Sequence, residues 1–181
     1  KAKVDEIKSI FDIREPSNDP LTDHVEESDL AWAARNAVAL DKLVTNNGLS
    51  ALAYFYKGEH GNEYEDIAAN LIIGNTLLTS RGIPLAGEAD LKTAAAMMIL
   101  KSVGAGGSFA ELHPFDIHDD IVLVGHDGPH NINISNEKPI LRKLKKFHGK
   151  SGSGVSVEFK LKTGDVTLLS CSVDRTGSLK L

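Results

Sequence analysis

Ile83-Pro84-Leu85-Ala86-Gly87-Glu88-Ala89-Asp90-Leu91-Lys92-Thr93-Ala94, continued by Ala95-Ala96-Met97-Met98-Ile99-Leu100, reads as a short extended piece, a turn and a helix. Ala, Leu and Met are among the strongest helix formers, so the run after Glu88 is expected to stay helical to about Val103. Glu88 and Asp90 fall at or near its N-terminus, where the positive end of the helix dipole stabilises negative charge. Acids in such a place often do no more than cap the helix. Here they also follow a strand end, where ligands gather in open α/β sheets.

The chain before this stretch repeats the alternation. Val4, Ile7, Ile10 and Phe11 have helical spacing, so residues 1–13 are expected as an amphipathic helix. A second helix is expected over about 30–44, burying Trp32, Ala33, Val38, Leu40 and Leu43 and stopped by Asn46-Asn47-Gly48. Residues 49–56, apolar and aromatic, suit a buried strand, and Lys57 stands just past its end. A third helix is expected over 63–79. The order helix, helix, strand, helix, strand, helix over 1–103 predicts an α/β layer with a mostly parallel sheet.

The texture changes at Gly104-Ala105-Gly106-Gly107. Residues 108–115 and 120–125 are strand-like, and Ile132 and Ile134 alternate with polar neighbours. Val155, Val157, Phe159 and Leu161 alternate with Ser156, Glu158 and Lys160, a half-buried strand. Thr163-Gly164-Asp165 is expected as a hairpin turn, with 166–173 as the partner strand. Residues 108–181 are thus predicted to be antiparallel β, an incomplete barrel or a sandwich. The expected division is an α/β part over 1–103 and a β-rich part over 104–181.

Charge and cysteine content narrow the function classes. The net charge is −5, and the most basic segment, Leu141-Arg142-Lys143-Leu144-Lys145-Lys146, is interrupted by apolar residues. That is no nucleic-acid footprint, and it reads as a strand or turn with a solvated face. A single cysteine, Cys171, excludes a disulfide framework within the chain and favours a reducing, cytoplasmic setting. No apolar run approaches membrane-spanning length, so no membrane partner is expected. The opening Lys1 inside a helical pattern and the strand-like close at Leu179-Lys180-Leu181 lead us to expect a piece of a longer polypeptide.

Two further residues complete a candidate site. Glu111 stands in Ser108-Phe109-Ala110-Glu111-Leu112-His113, and a carboxylate in an apolar strand is expensive unless paired, hydrogen-bonded or metal-bound. His126 follows Val122-Leu123-Val124-Gly125 at a strand end. Two carboxylates and an imidazole suit manganese, magnesium or a similar divalent ion better than a thiolate-loving metal. The spacing of Glu88, Glu111 and His126 matches no local metal motif.

The surrounding segments carry more. Gly87-Glu88-Ala89-Asp90-Leu91-Lys92-Thr93-Ala94 resembles the Gly-Glu-Gly-Asp-x-Lys-Thr-Ala segment of bacterial L-arabinose isomerases. In the same order, Gly106-Gly107-Ser108-Phe109-Ala110-Glu111 is similar to that family's Gly-Gly-x-Ser-Phe-Met-Glu. Asp120-Ile121-Val122-Leu123-Val124-Gly125-His126 is similar to its Asp-Leu-Val-Leu-Gly-Ser-His, and Glu137-Lys138-Pro139-Ile140-Leu141 to its Glu-Lys-Pro-Ile-Leu. The resemblance covers nearly the whole chain and implies a central-to-C-terminal piece of such an enzyme.

By that resemblance Glu88, Glu111 and His126 would be ligands of a catalytic divalent metal, most often Mn2+, with Glu88 and Glu111 also the proton-handling pair. Asp90, Lys92, His130 and Lys57 would support the metal or the substrate. The implied reaction is aldose–ketose isomerisation of L-arabinose or a related pentose or deoxyhexose through a cis-enediol, in a cytoplasmic homo-oligomer. The family's fourth ligand, a His, lies in a region outside this chain, so the isolated piece is expected to have little activity. His113, Pro114 and His118 replace a Tyr-rich stretch, and Gly125-His126-Asp127-Gly128-Pro129-His130 replaces Gly-Ser-His-Met-Leu-Glu. These departures leave open an L-fucose- or D-arabinose-type isomerase. A non-catalytic carbohydrate-binding or assembly module derived from such an enzyme is the alternative.

Overall fold

The computed structural model of the 181-residue chain describes residues 1–55, 64, 67–68, 70–147, 150–151 and 154–181. Three helices, α1 (Ala2–Ile10), α2 (Glu27–Asn47) and α3 (Ile72–Ser80), supply most of the larger apolar core. Helix α2 opens on a reciprocal cap, in which Glu26 and Asp29 each accept from the other's backbone N–H. It ends at Gly48 in the left-handed conformation, φ 59°.

These helices pack against a four-stranded sheet centred on β7 (Ile140–Leu144). Strand β1 (Asp12–Ile13) lies parallel to β7, with Ile13 opposite Leu141. Strand β2 (Thr22–Asp23) pairs antiparallel with its Lys143–Leu144 end. On the other edge β10 (Ser156–Glu158) is antiparallel, with Val157 opposite Leu141. Leu141, Val155 and Val157 face the helical core with Ile7, Phe11, Leu30, Ile73 and Leu77. The sheet therefore takes strands from both sides of the 103/104 boundary.

The strand–turn–helix stretch forms as its residues dictate. Strands β3 (Leu52–Ala53) and β4 (Leu85–Ala86) pair in parallel, and α4 runs over Leu91–Ser102. Ala86, Ala94, Met97 and Phe109 form a second, smaller apolar cluster. Beyond it β5 (Glu111–Asp116) and β6 (Ile121–Gly125) make an antiparallel hairpin. Its register shifts between Leu112 and Phe115, a bulge at Pro114, which has no N–H to give the ladder. The remaining pairs are β8 (Lys146–Phe147) with β9 (Lys150–Ser151), and β11 (Ser172–Val173) with β12 (Leu179–Lys180).

The architecture is a mixture of helices with small sheets of both parallel and antiparallel pairs, and among the described residues no barrel closes. Several expectations are corrected. The strand placed over 49–56 shrinks to Leu52–Ala53 among the described residues. Ile132 and Ile134 lie in a 3-10 turn (Ile132–Ile134), because the Asn131 side chain accepts from Asn133 N–H and curls the backbone. No strand forms over 166–171; Val166 and Leu168 are exposed. Strand β11 pairs instead with β12 across Asp174–Gly177, where Asp174 Oδ1 accepts from Thr176 N–H (2.8 Å) and Ser178 N–H (3.0 Å). Among the described residues no helix is long and apolar enough to cross a membrane.

Candidate functional site

Glu88 projects from a turn pinned to the β3–β4 pair. Tyr54 N–H donates to Ala86 O (3.2 Å), Ala89 N–H donates to Tyr54 O (2.8 Å), and Asp90 N–H to Gly87 O (3.0 Å). The turn closes by holding both Glu88 (φ 57°) and Ala89 (φ 56°) in the left-handed region. That conformation is unfavourable for side-chain-bearing residues and persists only where the surroundings enforce it. The helix cap is Asp90: its Oδ1 accepts from Lys92 and Thr93 N–H (3.0 Å each), and its Oδ2 from the Thr93 hydroxyl (2.6 Å). The Thr93 hydroxyl bond, with the two backbone donors and Lys92, holds the Asp90 carboxyl below the usual carboxylate range. Glu88 is left exposed and takes no part in the cap.

Glu111 begins β5 opposite Gly125, so the hairpin register sets it beside the end of β6 and His126. The loop after His126 is held from two sides. His130 N–H donates to Thr76 Oγ1 (3.1 Å) and Ile132 N–H to Ser80 Oγ (3.1 Å), both on α3. Asn131 donates through its backbone N–H to Ser108 Oγ (3.2 Å) and through Nδ2 to Gly107 O (3.1 Å).

His126 is the meeting point. A Cβ on Gly87 would lie 3.1 Å from His126 Nε2, and one on Gly128 only 2.5 Å from its Cε1. The ring fits because both neighbours lack side chains. Phe109 meets it edge-on at 4.6 Å between centroids, His130 meets it at 5.6 Å, and His130 in turn meets Phe159 at 5.3 Å. Nδ1 lies 3.4 Å from Pro129 O; with the proton there, Nε2 keeps a lone pair on the Gly87 side. Burial lowers the His126 pKa, opposed by the Pro129 carbonyl and by the Glu111, Asp127 and Glu88 carboxylates. His130 is pushed down to about 4 by burial and then by the neighbouring His126.

The Gly87-Glu88 turn, the Glu111 strand and the His126 loop, remote in sequence, meet at one imidazole, and the Glu111 and Glu88 carboxylates oppose the lowering of its pKa. Their oxygen and nitrogen donors are the right kind for a hard divalent ion. Yet among the described residues no group of three or more His, Cys, Asp or Glu side chains stands close enough to hold a metal ion. Lys92 is exposed on the first turn of α4, His130 packs behind His126, and Lys57 lies outside the described residues. Sequence reasoning missed the role of Gly87 and Gly128 as the walls of the ring. For Gly128 the signal was its place two residues after His126; for Gly87, 39 residues away in sequence, there was none. Sequence reasoning also missed the cation–carboxylate network of Arg14, Arg142, Asp19 and Glu158, whose members come from three separate segments, the β1–β2 connection, β7 and β10.

No family model matches this chain, and none of the curated proteins matches it.

Proposed function

We propose that this chain carries the proton-transfer centre of a metal-dependent aldose–ketose isomerase acting on L-arabinose or a related pentose or deoxyhexose. The observation that supports it is the meeting of three segments at one imidazole: the Gly87-Glu88 turn, the Glu111 strand and the His126 loop. Each is a segment whose sequence resembles that enzyme family. In this reading Glu111 and Glu88 divide the work: one carboxylate takes the C2 proton of the open-chain sugar while the other serves the opposite end of the transfer. His126, fixed by Gly87, Gly128 and Phe109, supplies a lone pair and closes one wall. Asp90 holds the turn that presents Glu88. A divalent cation, Mn2+ by resemblance, would be held by Glu88, Glu111 and His126 and would supply Lewis-acid stabilisation of the charge that builds on the sugar. In the same reading 1–103 is the α/β part of a central domain and 104–181 the β-rich part of a C-terminal one. The working form is a cytoplasmic homo-oligomer, with the single cysteine in keeping with that setting.

The test is metal capture with turnover. In the full-length protein, free Mn2+ is followed by its aqueous paramagnetic resonance signal, and ketose formation is followed with a panel of pentoses and 6-deoxyhexoses. Wild type is expected to bind Mn2+, and Glu111→Gln or His126→Gln to weaken binding roughly tenfold or more. Equal binding by wild type and both variants would overturn the assignment. The separation of the three candidate ligands favours one other reading, a non-catalytic carbohydrate-binding or assembly module. Saturable sugar binding with no ketose formed would favour that module.

A further inference from the structure

Phe109 and His126 meet within a closed frame of backbone. Residues 107–111 form one side of it and residues 125–131 the other. The hairpin register joins the sides at one end, where Glu111 lies opposite Gly125. At the other end one residue makes the join. Asn131 N–H donates to Ser108 Oγ at 3.2 Å, and Asn131 Nδ2 donates to Gly107 O at 3.1 Å. Phe109 lies between the joins on one side and His126 on the other, and their rings touch edge-on at 4.6 Å between centroids.

The segment that Asn131 holds has little else to define its course. Residues 105–110 belong to no helix or strand. Gly104, Gly106 and Gly107 leave the backbone many alternatives, and fixing one of them costs conformational entropy. Asn131 is only 7% exposed, so a partner lost there is not readily replaced by water. Its amide divides its bonds between two segments. Oδ1 accepts from Asn133 N–H at 3.0 Å and starts the 3-10 turn of its own loop. Nδ2 reaches across to the segment that carries Phe109 and Glu111. Thr76 and Ser80 of α3 hold the same loop from the other flank, so the tie connects the helical core to that segment.

We propose that Asn131 is a positioning residue for the candidate site: through Gly107 and Ser108 it holds the Phe109 ring against His126 and sets Glu111 beside it. This rests on the isomerase reading only for its rate measurement, because the ring contact is read without turnover.

Asn131→Asp separates the two roles of the amide. Asp keeps an oxygen for Asn133 N–H and has no N–H for Gly107 O. A residue that only shapes the turn would tolerate the change, with rings and rates as in wild type. In the full-length protein with labelled Phe and His, the nuclear Overhauser contact between the Phe109 and His126 rings is expected to be lost. With Mn2+, kcat for C2 exchange is expected to fall roughly 10–100-fold with KM unchanged. Ser108→Ala removes the acceptor of Asn131 N–H without burying a charge, and it is expected to weaken the same ring contact; it carries the test if Asn131→Asp folds poorly. An unchanged ring contact in folded Asn131→Asp, or in Ser108→Ala where the first variant does not fold, would overturn the assignment. Wild-type exchange rates in both variants would sink the positioning role and leave the isomerase standing. Loss of the ring contact, in a protein whose wild type exchanges no aldose, would keep the positioning role and sink the isomerase.

Discussion

The two glycines that hold His126 make the sharpest residue-scale prediction. A methyl group at Gly128 would fall 2.5 Å from the imidazole, well inside contact distance. Gly128→Ala is therefore expected to displace His126 and, with it, the proposed proton transfer, with ring NMR shifts at His126 and Phe109 reporting the movement. An unmoved ring with full turnover would contradict it. Ala89 gives the opposite case, because it sits at φ 56° where the resembling family has glycine. Ala89→Gly is expected to stabilise the turn by up to roughly 1 kcal/mol in urea unfolding. His130 carries a pH prediction. Its pKa is about 4 in the fold against an ordinary 6.5, so between those values the unfolded chain binds a proton that the native chain refuses. Its contribution is complete above pH 6.5 and is lost as the pH falls toward 4, by up to roughly 3 kcal/mol. His130→Gln should flatten that part of the stability–pH curve; an unchanged slope would show that His130 is not the group responsible.

At the scale of elements, close helix contact explains what the sequence concealed. Helix α2 buries Ala33, Ala34 and Ala37 and leaves Val38 and Leu43, 37% and 47% exposed, largely outside the core. The reason is Gly74 on α3: a Cβ there would lie 2.6 Å from Leu40 Cδ1 and 2.9 Å from Ala37 Cα. A close crossing selects small residues on both helices, and a reading that looks for large apolar side chains chooses the wrong stripe. Gly74→Ala is expected to destabilise the protein by roughly 1–3 kcal/mol in urea unfolding, and a loss near zero would show the crossing to be loose. The strand–turn–helix element was legible because each part used strong local signals: Pro84 before a short strand, Gly87 at the turn, and an Ala/Met run after Asp90. The strand expected over 166–173 was misplaced because alternation alone cannot specify a partner. Asp174-Arg175-Thr176-Gly177 offered a tighter local turn and took the pairing to Leu179–Lys180.

For the whole molecule, the sheet around β7 carries the organisation that no local pattern announces. Asp12 pairs with Ile140 and Thr22 with Leu144, contacts across more than a hundred residues. They place Arg14 and Asp19 beside Arg142 and Glu158 and so build a cleft next to His126. The acid and imidazole candidates were readable as residues, but their meeting depends on the β3–β4 pair, the β5–β6 register and the contacts of the His126 loop with α3. The central claim is that Glu88 and Glu111 move a sugar proton at this meeting point. Its most direct test is deuterium incorporation at C2 in deuterated water with Mn2+ and the aldose panel, in the full-length protein, comparing wild type with Glu111→Gln and Glu88→Gln. Exchange with at least one aldose, lost in both variants, is the predicted result; exchange that survives in both, or none with any sugar while Mn2+ is bound, would contradict the account.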